Sequence, residues 1–133
     1  LPLVARFGWH YQFIDQVDMA KFYDCLYLYK GTHDFGSFCK IEDDTVTTIR
    51  TIDDIIIKKY SHWNCLLVTI KGPGFARFQI RRMIGYALDV ARRPSFAVDY
   101  LKDVLKNPNP QQTLHKADSC GLCLRKILYH DDL

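Results

Sequence analysis

The sequence predicts an α+β fold, with a mixed, mainly antiparallel sheet packed by helices. Apolar residues recur at helical spacing in residues 15–30 and again from residue 80 onward, whereas residues 45–71 have the threonine- and isoleucine-rich composition of paired strands. The chain has 133 residues, 48% hydrophobic and 14% aromatic, which is enough for one domain with a sizeable core. We therefore expect a single domain over residues 1–133 and no general disorder.

Charge and cysteine content narrow the class of protein. The formal net charge of +3 permits an anionic partner without requiring one. Five cysteines at irregular spacing argue against a disulfide-stapled secreted fold, so we expect a reducing, intracellular compartment, with cytoplasm, nucleus and mitochondrion not distinguished. No apolar run approaches the roughly 20 residues that span a bilayer, and we expect no membrane partner. Because the first residue is Leu1, we expect a piece of a longer protein.

The first predicted elements are an extended segment, a helix and a loop. Residues 5–13 are aromatic-rich and roughly alternating, which favours an extended conformation. Residues 15–30 are predicted as a helix, with Asp15 as its N-cap and Gly31 as its stop. Residues 31–40 are dense in turn-forming residues and are predicted as an ordered loop. The apolar positions of the helix are Met19, Phe22, Tyr23, Leu26 and Tyr27.

A β-hairpin is predicted in the middle of the chain. Residues 45–60 have strand composition, with a bulge or break near residues 53–54. Residues 61–64 then form a turn, and residues 65–71 form the antiparallel partner strand. The hairpin leads through the Gly-Pro-Gly turn at 72–74 into the next helix.

The strongest helical pattern begins at residue 80. At about 100° per residue, Arg82, Asp89 and Arg93 lie opposite its apolar face, where solvent is expected, whereas Arg81 lies on the shoulder of that face. An arginine on the shoulder either extends past the core to water or directs its guanidinium into a cleft that holds a carboxylate or phosphate. The apolar series is Ile80, Met83, Ile84, Ala87, Leu88 and Ala91.

The last part of the chain is predicted to add a helix and a strand. A third helix starts after residues 94–95 and ends at the Asn-Pro-Asn-Pro of 107–110, and residues 121–129 are predicted as a closing strand. Cys120 and Cys123 spell C-x-x-C, but one such pair is weak support for a zinc or redox site because no pattern supplies two further ligands. We predict no metal site.

Four ordered sequence blocks resemble the TruA family of tRNA pseudouridine synthases. They are the helix from residue 15, G-T-H-D-F-G-S-F at 31–38, V-T-I-K-G-P-G-F at 68–75 followed by I-R-R-M-I-G at 80–85, and the terminal G-L-C-L at 121–124. The resemblance implies a pseudouridine synthase-like half domain, the C-terminal half of the catalytic region, with the upstream half absent.

The resemblance also implies a reaction and roles for particular residues. In the TruA family, the arginine that matches Arg81 pairs with the catalytic aspartate, so Arg81 is implied as a catalytic residue. Phe75, His33, Asp34 and Phe35 are implied in supporting roles. The implied reaction isomerises uridine to pseudouridine in tRNA and requires no cofactor.

Basic side chains are candidates for contacts with tRNA phosphates. The target base must leave its stack to be reached, and neighbouring basic residues then hold the flanking phosphates. For each candidate, a solvated face of the protein is an equally good explanation. The candidates are Lys71, Arg77, Arg82, Arg92 and Arg93.

The catalytic aspartate of the family lies in an R-T-D motif of the upstream half, and no aspartate of this chain follows that pattern. We therefore expect the missing N-terminal half of the same protein as a partner beside tRNA, and a homodimer as an option. Two hypotheses remain open. The chain is part of an enzyme and inactive by itself, or it is a catalytically inactive RNA-binding or ribosome-associated scaffold that kept the fold.

Overall fold

The structure, a computed structural model, describes residues 11–40, 47–63, 65–76, 78–109 and 116–117. The helices of these residues are α1 (Met19–Leu28), α2 (Gln79–Arg92) and α3 (Asp99–Lys106). The strands are β1 (Gly31–Asp34), β2 (Ile49–Ile52), β3 (Asp54–Tyr60) and β4 (Cys65–Lys71). β1 pairs with β2, and β3 pairs with β4, both antiparallel. The predicted α+β class with antiparallel strands is confirmed.

Helix α1 begins later than the sequence predicts. Its N-cap is Asp18, whose Oδ1 accepts a hydrogen bond of 3.2 Å from the backbone N–H of Lys21. Asp15 lies instead in the 3-10 turn Ile14–Gln16, so the prediction of Asp15 as N-cap is wrong. The cause is tertiary, because the backbone N–H of Asp18 donates to the carbonyl of Ala91 in α2 and fixes where α1 starts.

Residues 31–34 form a strand where the sequence predicts a loop. They pair with β2, with Gly31 opposite Ile52. The partner strand is distant in sequence, so the composition of residues 31–40 gives no sign of it. Phe35 and Phe38, which follow the strand, are both 0% exposed, and they anchor this segment in the core.

The predicted hairpin is confirmed for residues 54–71, whereas residues 49–52, predicted as part of its first arm, pair with β1 in a separate sheet. Its register runs from Asp54 opposite Lys71 to Tyr60 opposite Cys65, with the 3-10 turn Ser61–Trp63 at its end. The predicted break lies at Asp53, between β2 and β3. The backbone N–H of Asp53 donates to the carbonyl of Lys71 at 2.7 Å, which keeps β4 attached at the point where the first strand bends.

Helix α2 lies at the centre of the core and packs against α1, α3 and the 3-10 turn Gly36–Phe38. Asp89 is only 3% exposed and pairs with Arg92 at 3.5 Å, so the expectation that Asp89 faces solvent is wrong. Arg82 is half-buried rather than solvated, whereas Arg93 is exposed as expected. A helix that packs on several sides leaves little of its circumference to water. The buried residues of α2 are Gln79, Met83, Gly85, Tyr86, Ala87, Leu88, Asp89, Val90 and Ala91.

Two buried tyrosines tie α2 to its neighbours. The hydroxyl of Tyr29 donates to the carbonyl of Met83 at 2.7 Å, and the hydroxyl of Tyr86 donates to the carbonyl of Ser37 at 2.8 Å. Burial raises the pKa of both phenols, so both remain protonated donors at neutral pH. These bonds fix α2 relative to α1 and to the turn at residues 36–38.

Several predictions fall on residues outside the described ranges. The closing strand at 121–129, Cys120 and Cys123 lie outside them, as do residues 5–10 of the predicted extended segment. Within the described ranges, no three His, Cys, Asp or Glu side chains gather as a set that could hold a metal ion. Of the described helices, none is long and apolar enough to cross a membrane.

Candidate functional site

The chain approaches the candidate site at the end of β4, where Lys71 is exposed. Gly72 follows and is buried. A Cβ at this position would lie 2.6 Å from the carbonyl oxygen of Thr51 and 3.2 Å from the ring of Phe75. Glycine is therefore required here, because any side chain would collide with the backbone of β2. Phe75 itself is half-buried and packs against the core.

The turn that leads into α2 is held by a buried amide and bent at an unusual residue. The Oε1 of Gln79, which is 0% exposed, accepts a hydrogen bond of 2.9 Å from the backbone N–H of Ala76. Phe78 precedes the first turn of α2 with φ 67° and ψ −1°, the left-handed region, and provides no side-chain cap. A side chain with a Cβ disfavours this conformation, so the surrounding structure must hold it.

Arg81 is fixed at one edge of its guanidinium. Its Nε donates to the carbonyl of Ala117 at 2.8 Å, and the backbone N–H of Ala117 donates back to the carbonyl of Arg81 at 2.9 Å. Its Cζ lies 5.5 Å from the centroid of the Phe78 ring. Within the described residues, the terminal nitrogens Nη1 and Nη2 make no hydrogen bond. Among these residues, therefore, nothing occupies the end of the guanidinium fork, a position that suits a carboxylate or phosphate.

Arg82 extends toward the turn at residues 36–38. Its Nη1 donates to the carbonyl of Cys39 at 3.1 Å, and its Cζ lies 5.8 Å from the centroid of Phe78. Burial raises the pKa of the Cys39 thiol, and the positive charges of Arg50 and Arg82 oppose that rise. Arg82 therefore links α2 to this turn, in contrast to the solvated position that the helical pattern predicts.

Four residues, Phe78, Arg81, Arg82 and Lys116, form what we call the Phe78 cluster. The Nζ of Lys116 lies 3.9 Å from the centroid of the Phe78 ring, nearer than either guanidinium. Within the described ranges, neither arginine of the cluster forms an ion pair with a carboxylate. The cluster therefore concentrates positive charge that an anionic group could neutralise.

Comparison with known proteins identifies the chain at the family level. A sequence profile described as tRNA pseudouridine synthase matches residues 26–130, most of the chain. The chain belongs to the tRNA pseudouridine synthase family. The resemblance drawn from the sequence blocks is thereby confirmed, and Arg81, Arg82 and Lys116 all lie within the matched residues.

Curated relatives of this tRNA pseudouridine synthase family member are about twice its length. The tRNA pseudouridine synthase A of Pelobacter propionicus is 30% identical over 96% of the chain and 50% of that protein. The corresponding enzyme of Clostridium kluyveri is 30% identical over 96% of the chain and 51% of that protein. The tRNA pseudouridine synthase A of Malacoplasma penetrans is 33% identical over 95% of the chain and 50% of that protein. The chain spans about half the length of the curated relatives it matches.

Arg92 lies far from the Phe78 cluster and is already engaged. Its Nη2 lies 3.5 Å from Asp89, and its Cζ lies 4.5 Å from the centroid of the Phe13 ring. An α-helix rises about 1.5 Å per residue, so Arg92 is roughly 16 Å from Arg81 along α2. These contacts favour a structural role for Arg92 in this family member.

The other predicted tRNA contacts are also dispersed. Arg93 is exposed, with its Cζ 5.5 Å from the centroid of Phe96 at the far end of α2. Lys71 is exposed at the end of β4. Arg77 lies outside the described residues. Of the predicted site residues, the structure brings together Arg81 and Arg82, and it leaves Arg92 and Arg93 at the opposite end of the helix.

The His-Asp-Phe motif of this tRNA pseudouridine synthase family member organises the segment around it. His33 Nε2 hydrogen bonds with the carbonyl of Lys30 at 2.8 Å, and its ring packs edge-on against Phe35 at 5.8 Å. Asp34 Oδ1 accepts hydrogen bonds from the backbone N–H of Gly36 and the hydroxyl of Thr48. The polar atoms of the motif are thus used to hold the chain between β1 and the turn at residues 36–38.

Sequence reasoning missed three residues of the site. Lys116 and Ala117 lie between the predicted helix that ends at 107–110 and the predicted strand at 121–129, and no sequence pattern places them against α2. Phe78 belongs to no apolar series, and its left-handed backbone follows from no preference of phenylalanine. Only the three-dimensional structure places these residues beside Arg81.

Proposed function

We propose that this chain is part of a tRNA pseudouridine synthase that isomerises uridine to pseudouridine in tRNA. In this proposal, the chain supplies the cleft arginine, Arg81, and part of the RNA-binding surface. The observation that carries the proposal is the state of Arg81: its Nε is held by the carbonyl of Ala117, and its two terminal nitrogens make no hydrogen bond within the described residues. Family membership supplies the reaction.

The proposed role of Arg81 is to hold a carboxylate ionised and aimed. A carboxylate in a cleft loses solvation, which raises its pKa, and an adjacent permanent positive charge lowers it again. Because Nε is already bound to Ala117, the fork would meet the carboxylate end-on, through Nη1 and Nη2, in two parallel hydrogen bonds. A lysine ammonium has no such planar fork and would not fix the orientation.

The reaction balances without any added reagent. The bond between N1 of uracil and C1′ of ribose breaks, the base turns, and C5 bonds to C1′. The hydrogen on C5 leaves as a proton, and N1 takes up a proton. The target uridine must first leave its stack, so the cleft receives an extruded base while basic residues contact the flanking phosphates.

The proposed phosphate contacts divide by position. Arg82 lies beside Arg81 in the Phe78 cluster, Lys71 is exposed at the end of β4, and Arg93 would reach a more distant phosphate. Arg77 remains a candidate from the sequence. Such contacts make affinity fall steeply as salt is raised.

The missing half of the site is the proposed partner of this chain. The curated relatives are about twice as long, and the resemblance places the catalytic aspartate in the upstream half. We also propose an intracellular location. The longer protein is either a monomer or a homodimer. Light scattering on that longer protein would separate a monomer from a dimer.

The decisive experiment uses a protein that contains this chain and the upstream half. It is incubated with tRNA tritiated at C5 of uridine, and tritium released to water is counted, because C5 loses its hydrogen only when it bonds to ribose. We expect release from the longer protein and none above buffer from the 133-residue chain alone. Lys102→Ala, on the exposed side of α3, serves as a control that retains activity.

Two results would contradict the proposal. If the longer protein bound tRNA without releasing tritium, the alternative of a catalytically inactive RNA-binding scaffold would hold. If the isolated chain released tritium, an aspartate within it would serve as the nucleophile. In that case Arg81 would not depend on an upstream partner.

A further inference from the structure

Phe78 combines an unusual backbone with an unusual environment. Among the described residues, Phe78 alone has a positive φ without being glycine. It precedes Arg81 by three positions and Arg82 by four, the spacing at which side chains near a helix start become neighbours. Backbone conformations that a residue disfavours tend to occur where a function needs the side chain in one place.

The ring of Phe78 is surrounded by positive charge. The Nζ of Lys116 lies 3.9 Å from the ring centroid, the Cζ of Arg81 lies 5.5 Å away, and the Cζ of Arg82 lies 5.8 Å away. Three cations this close repel one another, and the negative face of an aromatic ring attracts each of them. The ring therefore stabilises an arrangement of like charges that would otherwise spread apart.

Arg81 needs this support because, in the described part of the chain, its one other side-chain restraint is an edge contact. The bond from Nε to the carbonyl of Ala117 fixes one edge of the guanidinium but permits its plane to tilt about that bond. A ring beside the plane limits the tilt. The end-on fork would then be ordered before a carboxylate arrives.

We propose that Phe78 is a positioning residue that orders the guanidinium of Arg81 for its carboxylate partner. This inference rests on the proposed function of Arg81. The left-handed backbone of Phe78 is what brings its ring to the cations of α2 and to Lys116. In this proposal Phe78 acts through Arg81 and not on the uridine itself, so its effect is on the catalytic step more than on tRNA affinity.

Three substitutions at position 78 test separately the aromatic face, the apolar bulk and the left-handed backbone conformation. Phe78→Tyr keeps the aromatic face, and Phe78→Leu keeps apolar bulk without it. Phe78→Asn removes the ring but suits the left-handed conformation, because a short amide side chain tolerates positive φ. The Asn variant therefore keeps the turn foldable if the Leu variant does not fold.

The experiment uses the protein that contains this chain and the upstream half, with two independent readouts. Steady-state kinetics give kcat and KM for tRNA, and a nitrogen-15 spectrum gives the Nε–Hε resonance of Arg81, assigned by its loss in Arg81→Lys. For Phe78→Leu and Phe78→Asn we expect kcat to fall about tenfold with KM within about twofold. We expect the Arg81 resonance to broaden or shift, and Phe78→Tyr to match the parent in both readouts.

Three outcomes would overturn the inference. One is an unchanged Arg81 resonance in both the Leu and Asn variants, whatever happens to the rate. Another is a rise in KM with kcat unchanged, which would make Phe78 a tRNA contact. The third is failure of Phe78→Tyr to match the parent. If the parent itself forms no pseudouridine, the proposed function fails, and the spectra alone decide whether Phe78 orders Arg81.

Discussion

The two ends of helix α2 differ in what they do for the molecule. From Met83 to Ala91 every residue of the helix is buried except the half-buried Ile84, and the hydroxyl of Tyr86 donates across the core to the carbonyl of Ser37. In the first turn, by contrast, only Gln79 is buried. Its other residues are half-buried, the turn follows the left-handed Phe78, and its two arginines gather positive charge. One helix thus separates stability, at its C-terminal end, from the candidate chemistry, at its N-terminal end.

This contrast shows how the site can be rigid without being buried. The buried half of α2 is anchored by tertiary contacts, so the first turn inherits a fixed position from it. The side chains of that turn are then not required for core packing, so their charge and geometry can serve the site. Substitutions at the two ends should therefore separate unfolding free energy from reaction rate.

The largest expected effect is at Met83, which is 0% exposed. Met83→Ala should lower the unfolding free energy by about 2–5 kcal/mol, because it removes buried apolar contacts and leaves a cavity. The rate per folded molecule should change little. Urea denaturation measures the first quantity, and single-turnover kinetics on the longer protein measures the second. Ile56→Ala, at a site that is 42% exposed, is the matched control and should stay within about 0.5 kcal/mol of the parent.

A large loss of single-turnover rate in folded Met83→Ala would contradict the separation of stability and reaction rate between the two ends of α2. It would mean that the buried half of α2 and its first turn act as one unit. Arg81 would then owe its geometry to core packing in general.

Arg81→Lys should give the largest effect on rate. Lysine keeps the charge but cannot make two parallel hydrogen bonds, so we expect the single-turnover rate to fall by about a hundredfold, in the range seen when one preorganised donor is lost. The melting temperature should change by only a few degrees. Arg82→Lys is the matched control, since a lysine ammonium can still donate to the carbonyl of Cys39, and its rate should stay near that of the parent.

The opposite result would locate the chemistry elsewhere on α2. If Arg82→Lys were crippled and Arg81→Lys matched the parent, the catalytic contact would belong to Arg82. The assignment that the family resemblance gives would then be off by one position.

Much of the fold could be predicted from local patterns, and the failures have a common cause. The α2 helix and the β3–β4 hairpin were predictable because periodicity and composition act within a short window. The strand at 31–34 was missed because its partner, β2, is distant in sequence. Asp18 caps α1 because it bonds to Ala91, and Asp89 is buried because α2 packs on several sides. Neither fact is contained in the residues nearby.

The candidate site divides in the same way. Arg81 is predicted as a site residue from its place on the helix and from the order of the surrounding residues, which are local signals. Phe78, Lys116 and Ala117 were not, because their roles depend on residues 116–117 returning to α2. Contacts between residues far apart in the chain leave no signal in local periodicity or motif spacing.

The smallest expected effect concerns pH and tests the buried side of the comparison. Cys25 is 0% exposed, and burial raises the pKa of its thiol to about 11 from an ordinary value near 9. A pKa that is higher in the folded state contributes stability that is fully present below pH 9 and is lost as pH rises toward 11. At pH 10.5 this loss should be about 1–2 kcal/mol. Urea denaturation of the parent and of Cys25→Ala between pH 8 and about 10.5 measures this loss as the difference in how steeply the unfolding free energy falls with pH.

The alanine variant should have a lower unfolding free energy at pH 8 and lose less of it as pH rises. Equal declines would mean that other buried groups, such as Tyr29, whose pKa is also raised by burial, carry the alkaline sensitivity instead of Cys25.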